Sequence, residues 1–176
     1  MLYYIHGYLS SPDSTKAMIL KKELDVKSIK YRNCAPEELV INECVEEILK
    51  EIKDDEKIIL IGSSLGGLLS VKTALKNPYI KHLILINPAL IPPNYNTSKI
   101  TDMPQRILKE MQDEKIYNKK IKAKIDIIIG INDEVVPNIW SEQFAEKQDA
   151  EIHRYDDDHR FSKNIEKLPD IIKDLI

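Results

Sequence analysis

The sequence predicts an α/β fold, a doubly wound and mainly parallel sheet of about six strands. Short β-rich apolar runs recur between amphipathic stretches, at Leu2 to Ile5, Ser28 to Cys34, Lys57 to Ile61, His82 to Ile86, Lys124 to Ile129 and Glu151 to Tyr155. Several are apolar at nearly every position, as in Ile58-Ile59-Leu60-Ile61 and Ile127-Ile128-Ile129, the pattern of strands buried on both faces of a parallel sheet. Helix-start signals fall between them, which makes the order β-α-β and the crossovers right-handed.

Each helical interval has its own punctuation. Ser11-Pro12 offers an N-cap with proline at the first helical position, Pro36 opens a stretch from Glu37 to Lys53, and Pro137 opens Asn138 to Lys147. Asn77-Pro78 stops the helix that follows the Gly62 region. A last amphipathic stretch, Phe161 to Leu175, closes the chain with a kink or break expected at Pro169. The interval from Pro88 to Lys122 is longer than one crossover needs. Residues 92–122 are therefore either a small lid over the strand ends or an elongated crossover on the sheet face, with one or two short helices between Met103 and Lys120.

The chain has 176 residues, 43% hydrophobic and 31% charged, which suits a single domain over 1–176 with a continuous core and argues against disorder. A net charge of -3 from 26 basic and 29 acidic side chains lacks the positive excess that binding a phosphate backbone requires, so nucleic acid is not an expected partner. No apolar run approaches the roughly 20 residues that cross a bilayer, and no signal peptide is legible, so a cytoplasmic protein without membrane association is expected. Cys34 and Cys44 have no metal-ligand spacing and are expected to be reduced thiols, Cys34 buried and inert.

The five glycines fall at the carboxyl ends of expected strands, where open α/β sheets bind ligands. Gly62-Ser63-Ser64-Leu65-Gly66 matches G-x-S-x-G between an apolar strand and a helical stretch, with Ser64 central and Ser63 out of register. Such a sharp turn projects the serine hydroxyl outward while the helix N-terminus faces developing negative charge. Chain order then places an acid and a histidine after the nucleophile. Asp133, in the loop after the fifth strand, is the expected acid, with Glu134 as runner-up. His159, just beyond the last strand, is the expected base, whereas His153 reads as packed within that strand and Asp126 faces the wrong end of the sheet. Backbone N–H groups of Leu65 and Tyr8 are candidate oxyanion donors, with His6 and Gly7 shaping the loop that carries Tyr8, and Gly62, Gly66 and Gly67 shaping the serine turn. The run Asp156-Asp157-Asp158 is expected to favour the charged form of His159.

Tyr4-Ile5-His6-Gly7-Tyr8, Ser10-Ser11-Pro12, Gly62-Ser63-Ser64-Leu65-Gly66-Gly67, Ile86-Asn87-Pro88-Ala89, Asp133-Glu134-Val135 and Asp158-His159-Arg160-Phe161 together resemble the YqiA-like bacterial esterases of the α/β-hydrolase superfamily, nearly end to end. The resemblance implies a minimal α/β-hydrolase fold with strand order 2-1-3-4-5-6. It also implies hydrolysis of small-molecule acyl esters or thioesters by Ser64, Asp133 and His159 without metal or organic cofactor. Acyl transfer from the same acyl-Ser64, or a noncatalytic binding module on this fold, are the competing readings.

Overall fold

The computed structural model describes residues 1–176. Six strands, β1 (Leu2–Ile5), β2 (Lys27–Ser28), β3 (Ile58–Ser63), β4 (Ile80–Ile86), β5 (Lys124–Gly130) and β6 (Glu151–Tyr155), form one sheet in the order β2-β1-β3-β4-β5-β6. Every pairing is parallel. The helices are α1 (Thr15–Leu24), α2 (Ile41–Glu51), α3 (Leu65–Ala74), α4 (Gln105–Met111), α5 (Lys115–Asn118), α6 (Asn138–Gln148) and α7 (Leu168–Leu175). None is long and apolar enough to cross a membrane.

The continuous apolar runs follow from burial on two faces. Tyr3, Ile5, Leu60, Leu83, Leu85, Ile125, Ile127 and Ile129 enter the larger core with α2 to α6. Their chain neighbours Tyr4, Ile61, Ile84, Ile86 and Ile128 enter the smaller one beneath α1 and α7. A period of two therefore exists in space while the sequence shows none, because both faces are dry.

The second strand is shorter than its apolar pattern. Only Lys27–Ser28 pair with β1, and Ile29 adds one hydrogen bond to the Tyr4 carbonyl at 3.0 Å. The strand β1 ends at Ile5, so the following residues have no ladder to join. Ile29 and Tyr31 are buried instead as core side chains, and Cys34, expected to be buried, lies exposed in the turn beyond.

Helix starts are displaced from the prolines that mark them in the sequence, once by a local cap and once by a tertiary one. The N-cap of α1 is Ser14, whose Oγ accepts from Ala17 N, rather than Ser11 before Pro12. Pro36 opens only a 3-10 turn, Pro36–Glu38. The helix α2 starts at Ile41, where Ile41 N donates to the Glu110 carboxylate of α4 at 2.8 Å, a cap supplied from 69 residues away. Pro169 lies in the first turn of α7 and so starts that helix instead of breaking it, since an N–H there would have no intrahelical acceptor.

Segment 92–122 holds α4 and α5 and is anchored throughout. Ile107, Leu108, Met111, Ile116 and Ile121 belong to the larger core. Arg106 donates to the Leu39 and Glu37 carbonyls, Gln112 to those of Pro92, Pro93 and Tyr95, and Lys72 pairs with Asp113.

Candidate active site

Ser64 stands at the junction of β3 and α3 with φ 54° and ψ -120°. A non-glycine residue in that region is strained, at a cost of order 1–3 kcal/mol. The surrounding backbone maintains it: Ser64 N donates to Ile86 O at 3.0 Å, while Ser64 O accepts from Gly67 N at 2.9 Å and Ala89 N at 3.0 Å. None of the five glycines has a positive φ, so the serine itself absorbs the unusual angle. Close approach explains Gly66, where a Cβ would lie 2.0 Å from the Ile5 carbonyl oxygen. Gly62 and Gly67 flank the same turn, and Gly7 packs its loop against Ser64.

The structure brings the three widely spaced side chains together. His159 Nε2 lies 3.2 Å from Ser64 Oγ, and His159 Nδ1 lies 2.8 and 3.0 Å from the two carboxylate oxygens of Asp133. The Asp133 side chain is fully buried, and its Oδ1 also accepts from Val135 N at 2.9 Å and Val136 N at 2.8 Å. These turn bonds leave the carboxylate little freedom to rotate. Glu134 accepts from the His159 backbone N at 3.3 Å, so it supports the loop without reaching the ring. Neither Tyr8 N nor Leu65 N has an acceptor within the chain.

The loop carrying Tyr8 is held by the residues that left the sheet after β2. Tyr31 stacks on His6 at 4.4 Å and donates to the His6 and Gly7 carbonyls, while Arg32 donates to those of Tyr8 and Ser10. Burial lowers the pKa of His6 to about 4. Folding thus keeps the ring neutral while an unfolded chain takes up a proton near 6.5. The resulting stability is complete above pH 6.5 and is lost as pH falls towards 4, a difference of about 3 kcal/mol at full extent. Urea midpoints measured across that range should fall more steeply for the wild type than for His6→Gln, and parallel profiles would refute this account.

The acidic run before His159 is consumed locally. Exposed Asp156 pairs with Lys163 and accepts from Asn132, and Asp158 accepts from Ser162 N, which holds its carboxyl below the ordinary range. Asp157 is buried and accepts from Asp158 N, Lys163 N, Asn164 N and Asn164 Nδ2 at 2.8 to 3.1 Å. It builds the histidine loop, a role that a run of three identical residues does not advertise. Asp157→Ala would strand three backbone donors and is expected to cost about 3 kcal/mol, read as a lowered Tm, whereas Asp156→Asn should leave Tm unchanged.

A second polar cluster occupies the opposite, amino-terminal end of β5. Buried Asp126 accepts from His82 Nε2 at 2.6 Å, His153 Nε2 at 2.8 Å and Lys124 Nζ at 2.9 Å. Burial alone would raise its pKa, but the hydrogen bonds from His153, Lys124 and His82 outweigh burial and lower it. Asp126, Glu151 and His153 present ligand atoms within 4.8 Å of one another. Lys124 already supplies the positive charge that a cation would bring there. Cys44 is buried, and burial pushes its thiol up to about 11.

Comparison with known proteins agrees with this architecture. The chain is 26% identical over 223 residues to the human palmitoyl-protein thioesterase ABHD10, mitochondrial, covering 99% of this chain and 72% of that protein. Mouse alpha/beta hydrolase domain-containing protein 10 superposes with a TM-score of 0.80 at 22% identity, covering 99% of this chain and 88% of that one. Est1E from Butyrivibrio proteoclasticus, in a structure with ferulic acid bound, gives a TM-score of 0.80 at 18% identity over 99% and 86% of the two chains. The fold is that of the α/β hydrolases. The model of the Uncharacterised protein family (UPF0227) matches residues 1–176, and the chain belongs to that YqiA-like family, on the fold of the α/β hydrolases.

Proposed function

We propose that the protein is a serine hydrolase of small-molecule carboxylic esters or acyl thioesters, working through an acyl-Ser64 intermediate without metal or organic cofactor. The observation that carries this reading is the continuous chain from Ser64 Oγ through His159 to buried Asp133, mounted on a strained strand-to-helix turn. In the first step Ser64 Oγ attacks the acyl carbonyl carbon as His159 Nε2 takes the hydroxyl proton. Asp133 accepts the Nδ1 hydrogen, fixes the tautomer and stabilises the imidazolium. The tetrahedral oxyanion receives hydrogen bonds from Tyr8 N and Leu65 N, neither of which has an acceptor within the chain. Collapse breaks the bond to the alcohol or thiol oxygen or sulfur, which leaves with the proton returned by His159. Water then attacks the acyl carbon with His159 again as base, releasing the acid and restoring the serine.

The thioesterase activity in the name of the human relative supports the choice of acyl chemistry. Under this reading segment 92–122, packed into the larger core and tied to Leu39, Glu37 and Lys72, is a fixed crossover and not a moving lid. A fluorophosphonate probe should label Ser64, and a panel of acyl esters and acyl thioesters of graded chain length should show turnover to acid in water. Absence of labelling would leave only a binding role for the fold. Labelling with product formed solely on an added alcohol or thiol would make the protein an acyltransferase.

A further inference from the structure

Asn87, in the segment Ile86-Asn87-Pro88-Ala89, is placed where β4 leaves the sheet, between the strand that leads to Ser64 and the strand that leads to Asp133. It is 1% exposed and has φ 42°, an angle that asparagine tolerates better than most residues. Its Nδ2 donates to the Asp158 and His159 carbonyl oxygens, each at 3.0 Å, and its Oδ1 accepts from Gly130 N at 2.7 Å. One amide therefore ties the residue bearing the imidazole to the start of the loop bearing Asp133. These two loops approach so closely that a Cβ at Gly130 would lie 2.5 Å from Asp157 O. The backbone on either side completes the arrangement, since Ile86 O accepts from Ser64 N and Ala89 N donates to Ser64 O.

We propose that Asn87 is the positioning residue of the site, its side chain setting His159 relative to Asp133 while its neighbours set Ser64. The inference rests on the serine-hydrolase reading above. The chemistry requires a carboxamide. Two N–H donors must face two carbonyls while an acceptor faces an N–H on the other side, and no other side chain of this length supplies both. A carboxylate would put oxygen against both carbonyls, and an apolar isostere would take the side-chain partner from Gly130 N and from the His159 carbonyl and leave the Asp158 carbonyl only its bond from Phe161 N. A misplacement of the imidazole by about 1 Å is enough to cost on the order of 10²-fold in rate.

Asn87→Gly separates the roles, because glycine accepts the backbone angle and removes only the side-chain bonds. Its fluorophosphonate labelling rate and its kcat on an acyl ester are expected to fall on the order of 10²-fold with KM little changed. The downfield proton resonance of the His159 Nδ1 hydrogen should be lost in the same variant. Ile172→Ala, a truncation in the smaller core, supplies a destabilised control that should keep both the labelling rate and the resonance. In the isotope-labelled wild type, the Asn87 side-chain amide protons should exchange with solvent far more slowly than those of an exposed asparagine. This last measurement does not depend on whether any variant folds, and exchange at the exposed rate would overturn the proposal. A folded Asn87→Gly that labels at the wild-type rate would overturn it alone. Wild type that fails to label would overturn the serine-hydrolase reading first and this inference with it.

Discussion

Ser64→Ala is expected to abolish fluorophosphonate labelling and to lower kcat by about 10⁶, the loss typical of a serine nucleophile removed from a working triad. The expectation is specific because of what the hydroxyl does and does not touch. Its one side-chain partner is His159 Nε2, at 3.2 Å, and the strained turn is held by backbone bonds to Ile86, Gly67 and Ala89 that alanine retains. Tm should therefore hardly move while activity disappears. Ser63, the adjacent hydroxyl, is buried in β3 and has no contact with the imidazole, so Ser63→Ala should retain most activity. Comparable turnover in the two variants would mean that Ser64 is not the nucleophile.

Asp133→Asn is expected to lower kcat by about 10⁴ with a small effect on KM. Oδ1 accepts from Val135 N and Val136 N, so the asparagine oxygen will remain with those donors and its NH₂ will take the place of Oδ2, 2.8 Å from His159 Nδ1. A donor in that position selects the tautomer whose hydrogen is on Nε2, facing Ser64, and that nitrogen then has no lone pair for the serine proton. Glu134→Gln is the control, because Glu134 touches only the His159 backbone. Steady-state kinetics on one acyl ester decide the matter, and greater sensitivity at Glu134 would show that the acid has been misassigned.

The loop assignments around these residues were legible because their signals are local. A G-x-S-x-G turn needs its strand, its serine and its helix in immediate succession, and the chain order of acid and histidine follows from which strand each loop leaves. The supporting residues are less visible for the opposite reason. Asn87 looks like an ordinary turn asparagine before proline, yet its partners lie 43 to 72 residues away. Tyr31 and Arg32 read as strand residues, and only the early end of β1 turns them into props for the loop that carries Tyr8.

By itself the sequence determined the alternation of strands and helices, the depth at which most strands are buried, and the identity of the turn at Ser64. Those properties depend on side-chain polarity and backbone preference over a few neighbouring residues. Only the tertiary structure decided where β2 stops, that α2 begins at Ile41 under a carboxylate from α4, and that Asp157 is a loop-building anion while Asp156 is a surface one. It also decided that Ser64, and not a glycine, bears the positive φ. Each of these outcomes depends on which donor or acceptor comes within about 3 Å of a given atom, from 69 residues away at Ile41 and from within seven at Asp157. That distance is set by how the chain packs around the sheet, which residue type and local pattern do not record.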